Sequence, residues 1–206
     1  MRKRDREQTS QRILEAVGRI LAAEGFRGIG VNAIAREAGV DKALIYRYFD
    51  DLDGLLAAFA ESSLHSPDAG AIWRRACMEI QDPAAVPAAA LLGYVRAIRE
   101  DPLMREIFRW GLSERNALSD AIAARREEQG VDVFSLARER FSDPEFDLEA
   151  ISSVALAGMI FLTLRSTTYP LFNGIEIGTD EGWQRVEAAV ERIMRSAMLD
   201  PGVERE

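Results

Sequence analysis

Residues 38–49 read "AGVDKALIYRYF". Gly39 is a natural left-handed stop for a short helix that runs from about Val31 to Ala38. Asp41 can cap the next helix, which continues through Phe49. Within it, Ile45 and Phe49 form an i, i+4 pair that can face a core. Lys42, Leu44, Tyr46, Arg47 and Tyr48 are left for other faces. Two cations and two tyrosines in two turns call for a polar partner.

Helical periodicity surrounds this segment. Thr9 can cap a helix in which Ile13, Leu14, Val17, Ile20 and Leu21 form one stripe, ended by Gly25. "GFRGIG" follows as a loop. Asp51 can cap a further helix with Leu52, Leu55, Leu56 and Phe59 inward. Nothing here alternates with period two, so no strand is expected. Helices this short, joined by a glycine turn, describe a helix-turn-helix. The major groove of duplex DNA is wide enough for one helix. Lys42 near the helix start can meet a phosphate or a guanine, and tyrosine hydroxyls suit phosphate oxygens. Arg47 can serve either phosphate or base. Ala43 and Leu44 are placed against base edges, where Leu44 could touch a thymine methyl.

The stretch "GFRGIGVNAIAREAGVDKALIYRYFDDLDGLL" resembles the DNA-binding domain of the TetR (tetracycline-repressor-like) family of transcriptional regulators. The matching residues are Gly25-Phe26, Ile34-Ala35, Ala38-Gly39-Val40, Lys42, Tyr46, Phe49 and Leu55, within a region from Thr9 to Phe59. Asn32 falls where the family often meets DNA. The resemblance implies an all-helical homodimer, a variable ligand-binding domain, and repression relieved by a small molecule. Some positions depart from the family. Gly30 stands where Ser or Thr is usual, Leu44 where a small residue is common, and Leu52 where a lysine usually meets the DNA backbone. Asp41, Asp50, Asp51 and Asp53 add negative charge nearby.

The net charge of the 206-residue chain is -8, which argues against indiscriminate nucleic-acid coating. That charge is uneven: residues 1–60 carry a balance of +1 and the remainder -9. One cysteine, Cys77, excludes an internal disulfide. No uncharged apolar run reaches about 18 residues, so a membrane partner is not expected and a cytoplasmic protein is the simplest reading. The single histidine, His65, and the distant Cys77 form no catalytic or metal-binding constellation, so neither an enzyme nor a cofactor is expected. A pure interaction protein is the other class to separate; its head would bind no DNA.

Further helices are expected over 72–80, 87–100, 102–110, 113–141 (one, or two broken at Gly130), 147–169 and 181–198, with "LFNGIEIGTD" as a loop. The fold class is therefore all-α. A three-helix helix-turn-helix DNA-binding domain spans 1–60, and a helical ligand-binding and dimerisation domain spans 61–206. The helix from Asp147 is apolar nearly all round, with Ser153, Ala157 and Gly158 small enough to admit another helix. In the last helix Trp183, Val186, Val190, Ile193 and Ala197 recur at spacings of three and four. The resemblance places a homodimer interface on these last two helices, about 147–169 and 181–198. Arg165 lies among apolar residues and needs a partner: an acidic side chain of the body, the twin subunit, or a ligand carboxylate or phosphate. A mostly apolar effector pocket with Tyr94, Phe161, Arg165 and Tyr169 among its lining is the expectation.

Overall fold

The computed structural model describes residues 2–62, 67–113, 115, 117–141 and 147–199. The helices are α1 (Arg2–Glu24), α2 (Val31–Ala38), α3 (Lys42–Phe49), α4 (Leu52–Glu61), α5 (Ala69–Glu79), α6 (Val86–Glu100), α7 (Pro102–Ser113), α8 (Ala117–Arg140), α9 (Leu148–Ser166) and α10 (Asp180–Leu199). The only strands among the described residues are β1 (Leu171–Phe172) and β2 (Ile175–Glu176), a small antiparallel hairpin. The fold is all-α, as the periodicity requires.

The chain packs as two units. The first comprises Met1–Ser66 with Asp101–Arg126, and the second Pro67–Glu100 with Glu127–Glu206. These packing units differ from a division at residue 60, because α7 belongs with the head. Ile107 and Trp110 are buried in the same core as Ile13, Val17, Leu21, Ile34, Ile45, Leu55 and Phe59. The Trp110 ring stacks on Phe26 with centroids 4.2 Å apart and planes 14° from parallel. Aromatic pairs of this kind contribute beyond the area they bury.

Two helix boundaries move for local reasons. Thr9 is not a cap: α1 already runs from Arg2, and the Thr9 hydroxyl donates to the Asp5 carbonyl at 2.8 Å. A hydroxyl in mid-helix has that carbonyl one turn back within reach. Gly130 does not break α8, which is continuous from Ala117 to Arg140. In "LFNGIEIGTD" the expected loop is a hairpin. Asn173 and Gly174 both adopt positive φ, the requirement of a two-residue turn that matches strand twist. His65 lies outside the described residues.

In the second unit, Leu92 and Val95 of α6, Met159 of α9, Trp183 and Met194 of α10, and Ile177 just after the hairpin share one core. Glu187 of α10 accepts from Arg96 at 3.0 Å and from Arg99 at 3.5 Å, both on α6. By length and composition, α9 is the one described helix apolar enough to cross a membrane. Its Met159, Ile160 and Thr163 are buried within the unit. The opposite stripe, through Ser153, Val154, Ala157, Gly158 and Phe161, is exposed. On α10 the buried stripe is Trp183, Val186 and Met194, with Val190 half-buried, while Ile193 points outward at 62% exposure. Of the expected stripe, Ile193 is thus displaced by its neighbour Met194.

Candidate nucleic-acid interface

The turn between α2 and α3 is fixed by backbone geometry. Gly39 sits at φ 63°, ψ 42°. Its N–H donates to Arg36 at 3.2 Å, and the Val40 N–H reaches back to the Ala35 carbonyl at 3.0 Å. These two bonds close the α2 C-terminus in a Schellman arrangement, which glycine enters without a Cβ penalty. A residue the sequence reading missed then secures the turn. Arg12 of α1 donates through Nη2 to the Ala38 carbonyl at 2.6 Å and to the Gly39 carbonyl at 3.4 Å. A contact 26 residues away in sequence carries no local signature.

Ile34, Ala35 and Ala38 of α2 and Ile45 of α3 are buried in the head's core. With Ile45 inward, the helical period places Lys42, Ala43, Tyr46 and Arg47 at i, i+1, i+4 and i+5 on one outward face. All four are exposed, as is Asn32 of α2. Leu44 and Tyr48 are half-buried on the flank. The two differ, because Tyr48 packs on the head's core whereas Leu44 is not part of that contact set. The Tyr48 ring meets Phe49 edge-on at 6.4 Å, and the Arg6 guanidinium lies 5.2 Å above it. Of the seven positions read from the sequence, Lys42, Ala43, Tyr46 and Arg47 share one exposed face of α3, Asn32 is exposed on α2, and Leu44 and Tyr48 are half-buried, Tyr48 as a packing residue as well.

Two of the acidic residues around this face, Asp41 and Asp51, have structural uses. Asp41 caps α3 by accepting from the Ala43 N–H at 2.7 Å, and Asp51 caps α4 by accepting from the Gly54 N–H at 2.7 Å. A carboxylate at a helix start satisfies an orphan donor and complements the positive end of the helix dipole. Leu52 packs against the core instead of offering a cation. Gly30 heads α2 with no side-chain cap and with open space where a Cβ would stand.

Between α3 and α4 the chain makes an unusually tight bend. Asp50 has φ 67° and ψ -55°, and the Asp51 N–H donates to the Phe49 carbonyl at 2.8 Å. This is a three-residue γ-turn in its strained, positive-φ form. The same carbonyl would lie 2.1 Å from a Cβ at position 54, so glycine is required there by close approach.

The four residues assigned to an effector site are distributed differently. Arg165 lies 5.0 Å from the centroid of Tyr169 and 5.3 Å from that of Phe172. Phe161 meets Phe172 edge-on at 5.6 Å. Phe161 (51% exposed) and Tyr169 (60%) lie on the outside of the second unit, not in its core. Tyr94 is half-buried on α6, and none of its contacts with these three is described. Arg165 Nε is buried without a hydrogen-bond partner, and Arg165 forms no ion pair among the described residues.

Residues 13–59 match the family described as bacterial regulatory proteins, tetR family. The chain is 28% identical over 124 residues to the uncharacterized HTH-type transcriptional regulator Rv1255c of Mycobacterium tuberculosis (strain ATCC 25618 / H37Rv). That match covers 59% of this chain, and the chain spans 57% of the length of the curated relatives it matches. A TetR family transcription regulator from Marinobacter aquaeolei VT8 superposes with a TM-score of 0.59 at 21% identity, covering 96% of this chain and 98% of that one. NalD of Pseudomonas aeruginosa, the secondary repressor of the MexAB-OprM multidrug efflux pump, superposes with a TM-score of 0.62 at 19% identity. The NalD match covers 91% of this chain and 96% of NalD. At these identities the two structures establish the shared fold, and the ordered helix-turn-helix residues add what fold alone does not: residues 13–59 are similar to the DNA-binding region of the tetR family of bacterial regulatory proteins.

Proposed function

We propose that this chain is a cytoplasmic, DNA-binding transcriptional regulator, a homodimeric repressor released from a palindromic operator by a small hydrophobic effector. The observation that carries the reading is the outward face of α3. Lys42, Ala43, Tyr46 and Arg47 stand together on a helix two turns long, held by the Gly39 turn and by Arg12. Donors on a short rigid helix suit phosphate and base edges in one major groove. Lys42, Tyr46 and Tyr48 are assigned mainly to phosphates, Arg47 to phosphate or base, Ala43 and Leu44 to base edges, and Asn32 to a supporting contact from α2. Retention of genomic fragments by the protein, followed by sequencing, tests this reading. Recovery of one palindromic sequence supports it, and retention of nothing sinks it.

The homodimer is assigned to α9 and α10. The exposed stripe of α9 is apolar or small from Val154 (75% exposed) to Phe161, and Ile193 of α10 is exposed beside small residues. Exposed apolar side chains of this kind support an interaction surface on these helices. Two-fold symmetry then sets half-sites about one helical turn, roughly 34–36 Å, or a multiple of it apart. The exposure of Phe161 and Tyr169 on either side of the half-buried Arg165 favours the twin subunit over a pocket as the partner of Arg165.

The effector is assigned to the second unit, with Tyr94 as a half-buried lining residue. A repressor role is the one NalD carries by name. An effector must bind one conformation better than the other to shift DNA affinity. Screening hydrophobic and hydrophobic-acid compounds for release from the operator identifies the class. Repeating the screen with Arg165→Met separates a ligand contact from a subunit contact: an unchanged response removes Arg165 from the effector site.

A further inference from the structure

The helix α1 extends well beyond the core it serves. Its first core side chain is Ile13, yet the helix begins at Arg2, and residues 5–8 are exposed. An exposed helical turn gains little from packing, and short exposed segments are marginal in water. The one tertiary contact described for this extension is made by Arg6, whose guanidinium lies 5.2 Å above the ring of Tyr48 on α3. The ring is itself held by the core and by the edge of Phe49.

A guanidinium stacked on an aromatic face keeps its planar fork of N–H donors pointing outward from the ring edge. Arg6 makes no hydrogen bond or ion pair among the described residues, unlike Arg12, whose donors are spent on the Ala38 and Gly39 carbonyls. The platform residue Tyr48 is one position from the exposed Arg47. In sequence, "MRKRDR" at 1–6 carries four cations and one acid on a chain whose net charge is -8. Local positive charge at one end of an acidic protein suits a polyanion.

We infer that Arg6 is a DNA-backbone contact and that Tyr48 is the residue that positions it, so that the N-terminal limb of α1 grips phosphates flanking the groove entered by α3. The inference rests on the DNA-binding reading above. It reassigns Tyr48 from a direct phosphate ligand to a platform, and it makes Arg6 a source of affinity rather than of base preference. A backbone cation strengthens binding to all sequences alike.

The test uses the full chain and the operator recovered from genomic selection, with an unrelated duplex alongside. Binding is measured from 50 to 200 mM salt for the wild type, Arg6→Gln, Arg6→Lys, Tyr48→Leu and Tyr48→Phe, with Lys42→Ala as a reference. Arg6→Gln is expected to lower the salt slope by about 0.9 per subunit and to weaken both duplexes by the same factor. Arg6→Lys and Tyr48→Phe should keep most of the slope. In the Tyr48→Leu background, Arg6→Gln should add little, because the guanidinium has already lost its platform. If Lys42→Ala flattens the slope but Arg6→Gln does not, the inference is overturned and Arg6 is only a cover for the tyrosine, even where Arg6→Gln lowers the melting temperature. A wild type that retains no DNA overturns this inference together with the functional reading beneath it.

Discussion

Arg12 of α1 donates to the carbonyl of Ala38, the last residue of α2, at 2.6 Å, and so ties the first helix of the head to the turn between the other two. Hydrogen bonds from a charged donor are stronger than neutral ones. Arg12→Met, which keeps the stem and removes the donors, is expected to destabilise the protein by about 1–2 kcal/mol, the lower part of the charged range because the site is only partly buried. Urea denaturation measures it. A change below a few tenths would mean that water replaces the guanidinium at no cost.

Gly54 is held to glycine by the Phe49 carbonyl, which a Cβ would approach to 2.1 Å. Gly54→Ala should therefore cost about 1–3 kcal/mol through forced backbone movement, although alanine is ordinarily the better helix former. A stability equal to or above the wild type would show that the γ-turn at Asp50 relaxes freely.

At Gly30 the opposite holds, since nothing lies within 4 Å of an added Cβ. Gly30→Ser supplies the missing cap of α2 and should stabilise by a few tenths of a kcal/mol. On the proposed reading it also adds a neutral phosphate contact, so binding should tighten on all duplexes with no change in salt slope. A thermal melt and a titration at two salt concentrations check both halves.

Leu44 is half-buried without joining the head's core. Leu44→Ser should change the preferred base at one position of each half-site, with a discrimination of about 1–3 kcal/mol per base pair. Sequencing of retained fragments decides. An unmoved preference would make Leu44 a packing residue.

The α9 stripe gives a separable test of assembly. Gly158 has open space around an added Cβ within its own subunit, so Gly158→Leu leaves the subunit's packing intact. Where two helices approach over Ala157 and Gly158, the larger side chain holds them apart. Light scattering at micromolar concentration should read a dimer for the wild type and a shift to monomer for the variant. An unshifted dimer would place the interface elsewhere.

Much of the head was legible because its signals are local. Asp41 and Asp51 cap the helices they precede, and Gly39 stops α2, each within three residues of what it controls. The burial of Ile45 in α3 and of Leu55, Leu56 and Phe59 in α4 follows the helical period of each segment. The hairpin at 171–176 was also written in the chain, as Asn-Gly between Leu171-Phe172 and Ile175-Glu176, but two-residue strands are too short to show alternation. What the sequence could not show is long-range. Arg12 bonds across 26 residues, α7 joins the head from position 102 onward, and Arg6 finds Tyr48 only once α1 extends past Thr9. Exposure is equally long-range: the composition of α9 places Phe161 on an apolar helix without saying which stripe the rest of the unit covers, and it is 51% exposed.

The salt dependence of operator binding by Lys42→Ala tests most directly whether the outward face of α3 meets DNA. Binding to operator and unrelated duplex should weaken alike, with the slope of log affinity against log salt reduced by about 0.9 per subunit. A folded variant whose slope matches the wild type would contradict a DNA contact at this face.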